Sequence, residues 1–272
     1  ICEDKIVDVI LCLSSIISKY HPLRGLGVWA DNTLLPSLCT PKMECDIKVF
    51  CIFVAKNKIN DVKLYLIMHV ELKERLLAHS QSDCWENAKE EWYFDNVFYA
   101  EEGVPCLCTD YPIKHVCVIG NCENADTKFI CRSCANEVLE ADIAEEIFSS
   151  VEKLKEDITK SMTSRVLEYM MFKGLVSGFE FEFYSNVMDK QDILEGQMNS
   201  KKIINQKLID FTTYETFSTF SKIRSILLWA SGNKRYRTNF VESIKRAGER
   251  NGLFSKKQIQ NIDEIYMKDV VE

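Results

Sequence analysis

The sequence predicts an α+β protein in three parts. These are a small N-terminal α/β lobe at 1–82, a cysteine-organised module at 83–142 and a mainly helical region at 143–272. Three observations predict it. Asp46–Ala55 (DIKVFCIFVA) and Lys63–Val70 (KLYLIMHV) are rich in β-branched and aromatic residues and flank a polar stretch, Lys56–Asp61, so they read as a hairpin. Six of the twelve cysteines fall between Val104 and Leu139, four of them in two close pairs. From Ala135 onward apolar residues recur at helical spacing almost to the end.

In the first part, Ile6, Val9, Ile10, Leu13, Ile16 and Ile17 predict a buried helix over 1–20. It ends at His21-Pro22, because the residue before proline is driven out of the helical region. A loop with Gly25, Gly27, Pro36 and Pro41 precedes the two strands, and a short helix over Glu71–His79 follows them.

The second part opens with a helix over Cys84–Trp92 that Ser82-Asp83 can cap, then a strand over Tyr93–Ala100. Trp85 and Trp92, seven apart, would share a helical face and cover the module. Next come Cys106-x-Cys108, a gap of twenty-two residues, and Cys131-x-x-Cys134. Ile113–Ile119 has strand character, Gly120–Asp126 is turn-rich, and Thr127–Ile130 can return as a second strand. A helix follows Cys134, with Val138, Leu139, Ile143 and Ile147 on its apolar side. Two thiol pairs brought together by a hairpin supply the soft tetrahedral donor set that Zn²⁺ prefers, so Cys106, Cys108, Cys131 and Cys134 are the expected ligands of a treble-clef-like zinc module. Cys122 and His115 are reserve ligands. Cys2, Cys12, Cys45, Cys51 and Cys117 sit in apolar runs and suit the reading of cysteine as a small hydrophobe. Disulfides are the third option, though a chain this long does not need stapling.

The residues Glu91-Trp92, Cys106-x-Cys108, Pro112-Ile113, Ile119-x-Asn121 and Cys134 resemble a zinc module of bacterial and phage-encoded proteins. Cys131 stands where that module often has glycine, and Asp110-Tyr111 where it often has Gly-His-type residues. The resemblance covers about a quarter of the chain. It implies a metal site and brings no defined activity.

In the third part, Ala135–Phe148 and Val151–Phe172 read as amphipathic helices punctuated by Gly174 and Gly178. Phe179–Met188 alternates Phe and Glu as a strand would, yet its sequel is helical. Lys201–Ile209, Tyr214–Trp229, Arg237–Ala247 and Ser255–Lys268 complete the series. Phe183–Gln197 followed by Ile203-Ile204 resembles Phe240–Gln258 followed by Ile262 and Ile265, which suggests a duplicated helical hairpin. A similar pattern, ending Gly-Leu-x-Ser-x-Lys-Gln, accompanies the bacterial and phage resemblance.

The chain of 272 residues carries a net charge of −7, so its overall charge does not favour indiscriminate nucleic-acid binding. The charge is uneven, however. Asn199–Gln258 holds thirteen Lys or Arg against four Asp or Glu, a local balance of +9 that leaves −16 for the remainder. Such asymmetry points to an anionic partner for the basic part or, equally, to electrostatic contact between the protein's own halves. Lys222, Arg224, Lys234, Arg235, Arg237, Lys245, Arg246, Lys256 and Lys257 are the candidate phosphate contacts, interleaved with aromatics that could stack on bases. Gly232–Arg237 is the densest cluster. Solvated cations over an aromatic helix core are the competing explanation.

Catalytic patterns are scarce. There is no phosphate-binding Gly-x-x-x-x-Gly-Lys-Ser/Thr, no Gly-x-Gly-x-x-Gly, no Gly-x-Ser-x-Gly and no His-Glu-x-x-His. His69-Val70-Glu71 matches half of a deaminase signature, but Cys131-x-x-Cys134 lacks its proline. The pairs Glu101-Glu102, Glu145-Glu146 and Glu180/Glu182 could hold Mg²⁺, though acidic pairs are usually a solvated face. The function expected is therefore non-enzymatic: a zinc-stabilised, phage-type or mobile-element protein that binds DNA or RNA, with a protein partner for its acidic part. The alternative is a protein–protein adaptor or inhibitor acting without nucleic acid. The chain opens on Ile1 rather than methionine, so its start is expected to lie upstream. Ile6–Ile17 is too short for a membrane span and lacks the positive start of a signal peptide, and the cysteine usage suits a reducing, cytoplasmic compartment.

Overall fold

The structure, a computed structural model, describes residues 71–139, 142–190, 192–233 and 235–271. The expected helix at 1–20 and the strands at 46–55 and 63–70 lie outside the described residues, as do Cys2, Cys12, Cys45, Cys51 and His69. Residues 71–77 are helical. They are followed by α1 (Trp85–Glu90), β1 (Trp92–Pro105), β2 (Pro112–Asn121), β3 (Thr127–Ile130) and α2 (Arg132–Leu139). The remaining elements are α3 (Ile143–Glu156), α4 (Ser164–Phe172), α5 (Gly178–Val187), α6 (Glu195–Phe211), α7 (Tyr214–Ser231), α8 (Asn239–Asn251) and α9 (Lys256–Tyr266), closed by a π-helical turn at Met267–Val271. The described chain is thus α+β, mostly helical, with one antiparallel sheet of order β1-β2-β3.

The sheet has two apolar faces. On one, Val97, Cys117, Ile119 and Ile130 join Val138, Ile147, Phe148, Val151 and residues of α4 to α6 in the main core. On the other, Phe98, Val116 and Val118 meet Phe129 and Phe217, and the rings of Phe98 and Phe217 stack 4.3 Å apart. A separate core of Ile223, Ile226, Val241, Ile244, Phe254 and Ile262 binds α7, α8 and α9 to one another. Burial on both faces explains why β2 reads as a nearly continuous apolar run rather than a strict alternation.

Several boundaries differ from the sequence expectation for physical reasons. The helix before the sheet is shorter than expected, its N-cap is Cys84, and the Ser82 hydroxyl accepts from the Cys84 N–H outside it (3.2 Å). Trp92 opens β1, so it does not share a helical face with Trp85, although both pack into the main core. The metal-side helix starts at Arg132, directly after Cys131. The expected helix over Val151–Phe172 is two helices. Asp157 leaves the helical region, and its carboxylate accepts from both the Thr159 N–H (2.9 Å) and hydroxyl (2.6 Å). This local turn competes with continued helix, and Thr163 then caps α4 through the Val166 N–H. Phe179–Met188 is helical because Ser177 and Glu180 form a capping box at its start.

Buried polar groups fasten the helices. Asn205, fully buried, donates to the carbonyls of Ile158 (2.7 Å) and Lys160 (2.8 Å) and accepts from the Tyr184 hydroxyl (2.6 Å). That pins the α3–α4 connection to α6. Gly252 ends α8 at φ +77, and a Cβ there would lie 2.5 Å from the Lys207 carbonyl, so only glycine lets the α8–α9 turn rest on α6. Gln258 accepts from the Ser255 N–H at the head of α9, and Gln197 accepts from the Leu194 N–H at the head of α6.

Candidate metal centre

The strands deliver the four cysteines to one point. β1 ends at Pro105, and the chain turns through Cys106–Tyr111 before β2 begins. The Asp110 N–H donates to the Cys106 carbonyl (2.8 Å) and the Cys106 N–H to the Tyr111 carbonyl (2.9 Å), with Asp110 in the left-handed region at φ 56. The Leu107 N–H donates to the Phe129 carbonyl (2.9 Å), which sets this turn beside β3. β3 then runs into Cys131, and the Ala135 N–H donates to the Cys131 carbonyl (2.9 Å), placing Cys134 in the first turn of α2.

The four sulfurs all lie within 4.8 Å of one another. Those of Cys106 and Cys108 are 3.2 Å apart, those of Cys131 and Cys134 3.4 Å apart, and the Cys131 N–H points to the Cys106 sulfur at 3.2 Å. Cys106, Cys108 and Cys134 are buried and Cys131 is partly exposed. All of the described cysteines are free thiols in the structure. A zinc ion with arms of about 2.3 Å sits in a sulfur tetrahedron with edges of about 3.8 Å, so the observed cluster accepts one after sub-ångström sulfur shifts.

The electrostatics also favour a cation. Hydrogen bonds from Cys106 and Cys134 pull the Cys131 thiol far below its ordinary value. The contact with Cys131, then burial, pushes Cys106 up to about 12 against an opposing contact with Cys134, and the contacts with Cys106 and Cys131, then burial, push Cys134 well above its ordinary value. Four thiolates gathered this closely would need a divalent ion to offset their repulsion. The sequence-predicted ligand set is therefore brought together, while the two reserves are not. Cys122 is exposed. The His115 Nδ1 faces the Arg132 guanidinium at 3.4 Å and its Nε2 lies 3.8 Å from Glu152. Burial and then Arg132 hold His115 below its usual value. Cys117, a buried residue of β2, has its thiol pushed up to about 12 by burial.

Supporting contacts explain other motif residues. Glu91 accepts from the N–H groups of Gln81 and Ser82 (both 2.8 Å) and from the Asn121 side-chain amide (2.9 Å). Asn121 in turn accepts from the Glu123 N–H (2.8 Å) and shapes the β2–β3 turn. The Trp92 indole donates to the Ser80 hydroxyl (2.9 Å). Arg75 was not legible as a site residue, yet it donates to the Leu107 carbonyl (3.0 Å) and to Asp110 (2.9 Å), bracing the first cysteine pair. The Nη1 of Arg132, between the second pair, donates to both carboxylate oxygens of Glu145 (3.0 Å each).

The candidate phosphate contacts are not gathered into one patch. Lys222 pairs with Asp263 (2.6 Å), Arg224 with buried Asp95 (2.8 Å), Lys245 with Glu249, and Arg246 with Glu242 (3.7 Å). Arg235, Arg237, Lys256 and Lys257 are exposed and have no carboxylate partner among the described residues, and Lys234 lies outside them. Lys201 and Lys207, part of the basic count, are buried, and Lys207 pairs with Glu180 (2.6 Å). Of the acidic pairs, Glu145 and Glu146 hold Arg132 and Arg165 and Glu180 holds Lys207, so these carboxylates brace helices. Among the described residues no helix is long and apolar enough to cross a membrane.

No protein-family model, curated protein or solved structure matches this chain.

Proposed function

We propose that the chain is a non-enzymatic, zinc-stabilised protein of phage or mobile-element type that binds nucleic acid through its C-terminal helices. Four thiolates fill a tetrahedral ion and leave no place for water or substrate, so zinc here would clamp the structure rather than activate a reaction. The resemblance of Glu91-Trp92, Cys106-x-Cys108 and Ile119-x-Asn121 to a bacterial and phage zinc module supports the same assignment.

One observation carries the nucleic-acid reading. Lys256 and Lys257 occupy the first two positions of α9, where no acidic residue accompanies them and both are exposed. The positive end of a helix disfavours cations and attracts phosphate, so two unpaired lysines there are better explained by an anionic ligand than by helix stability. Arg235 and Arg237 are likewise exposed, at the α7–α8 connection before the other end of α8. The test is fluorescence anisotropy of labelled duplex DNA and single-stranded RNA across a salt series. Binding that weakens steeply with salt, and whose log–log slope falls by about 1 for each contact removed in Lys256→Ala and Lys257→Ala, supports the proposal. No binding of either probe at low salt rejects it. Phe172 and Phe179, 82% and 81% exposed at the α4–α5 turn, favour the second reading, an adaptor that acts through protein contacts alone.

A further inference from the structure

A groove of about 810 Å³ lies between β1, Lys155 of α3 and the α6–α7 junction. That is within the range of ~300–1,000 Å³ typical of ligand sites. Its construction is specific. β1 pairs with β2 at Tyr99–His115 and again at Val104–Ile113, so four residues of β1 oppose one of β2 and the segment 100–103 bows out of the sheet. Gly103 makes this bend at φ +81, where a Cβ would come within 3.1 Å of Pro112. Opposite, the Tyr99 N–H donates to the Thr212 carbonyl (2.9 Å), and a parallel bridge joins Tyr99 to Thr213. Among the described residues, nothing else pairs with the outer edge of β1.

The lining has a consistent chemistry. Glu101, Glu102 and Glu215 are exposed, and no cation pairs with any of them among the described residues. Tyr214 is 52% exposed beside them. The Lys155 ammonium lies 3.9 Å above the Tyr99 ring, so one wall already holds a cation on an aromatic face. Three carboxylates against one ammonium, the exposed Tyr214 ring and, among the described residues, an unpaired strand edge over 100–103 together repel phosphate and suit a chain that carries positive charge.

We propose that this groove docks an extended basic peptide segment of a partner protein. The segment would run along β1 at residues 100–103, beyond the Tyr99–Thr213 bridge, and place Arg or Lys side chains against Tyr214 and the three glutamates. Arginine fits best, because its planar guanidinium stacks on tyrosine and forks onto carboxylates. Edge pairing supplies the backbone contacts and the side chains supply the selectivity. The assignment is independent of the metal centre and of the phosphate contacts on α9.

The experiment uses the full chain and a fluorescein-labelled peptide of six Arg-Thr repeats, read by anisotropy at about 50 mM salt. Saturable binding is expected, with Kd raised about tenfold or more in the Glu101→Gln/Glu102→Gln/Glu215→Gln triple variant and also raised in Tyr214→Ala. A control triple variant with the same charge change elsewhere, at Glu123, Glu168 and Glu195, should bind as the parent does. Circular dichroism and thermal melting check that each variant is folded, and all six glutamates are exposed. The proposal is overturned by no saturable binding to the parent, by equal binding of a Glu-Thr peptide, or by equal losses in both triple variants. Full displacement by equimolar spermine would make this a small-cation site and would likewise overturn it.

Discussion

Asp95→Asn should be among the most damaging single changes outside the cysteine cluster. Asp95 lies in β1, its side chain only 7% exposed, between Lys173 at the C-cap of α4 (2.9 Å) and Arg224 of α7 (2.8 Å). It therefore ties the sheet to two helices distant in sequence. The Lys173 side chain is 17% exposed, and removing its counter-charge strands an ammonium that is mostly out of water. Breaking such a pair costs about 3–5 kcal/mol, and the lower end applies because the Tyr169 and Phe172 rings lie 5.8 and 5.7 Å from the ammonium. Arg224, 58% exposed, adds less than about 1 kcal/mol after solvent screening. A loss of about 3 kcal/mol corresponds to roughly 6–12 °C in Tm for a chain of this size. Burial pushes the Asp95 carboxyl up, but Lys173 and then Arg224 outweigh it and leave it below the ordinary carboxylate range. Because the folded value is the lower one, this stabilisation is present above the unfolded value of about 3.9 and is lost as pH falls through the folded value. Urea denaturation of parent and variant at pH 7 and near pH 3 should thus show a gap that narrows in acid. A gap under about 0.5 kcal/mol at pH 7, or one that survives unchanged in acid, would refute the reasoning.

Three further changes test other joints. Asn205→Leu removes the partners of two carbonyls and a tyrosine hydroxyl, and should cost about 3 kcal/mol in urea denaturation. Gly252→Ala forces a side chain into a left-handed residue against the Lys207 backbone, and should lower stability by more than about 1 kcal/mol in the same assay. Arg75→Ala unbraces the Cys106–Cys108 turn, and should weaken metal affinity about tenfold in a competitive chelator titration while leaving stoichiometry intact.

What could be read from the sequence was mostly local. The two cysteine pairs, the turn at 121–126 and the returning strand at 127–130 are short-range features, and the structure has them in place. Helical periodicity after Cys134 identified helices but not their joints. Val151, Leu154, Ile158 and Met162 keep the apolar rhythm straight through the Asp157–Thr159 turn, so only the side-chain hydrogen bonds mark the break. The Phe-Glu alternation at 179–184 misleads in the same way, since the Ser177–Glu180 capping box outweighs a two-residue pattern. Long-range pairing was not legible. Asp95 and Arg224 stand 129 positions apart, and nothing near either residue announces the other. Arg224 and Lys222 therefore look like free cations in the sequence while the fold spends both on carboxylates. Arg75 was missed for the same reason, because its partners lie at least thirty-two residues downstream.

The central claim is that one ion held by Cys106, Cys108, Cys131 and Cys134 clamps the hairpin to α2. Its most direct test is the metal content of the reduced full chain by mass spectrometry of the elements, read beside the Cys134→Ser variant. The account predicts one zinc per parent chain, a marked loss in the variant, and a Tm that falls by about 8–16 °C when chelation removes an ion present at about 1,000 times its Kd. A reduced, folded parent chain that carries no stoichiometric metal and melts at the same temperature with or without chelator would contradict it.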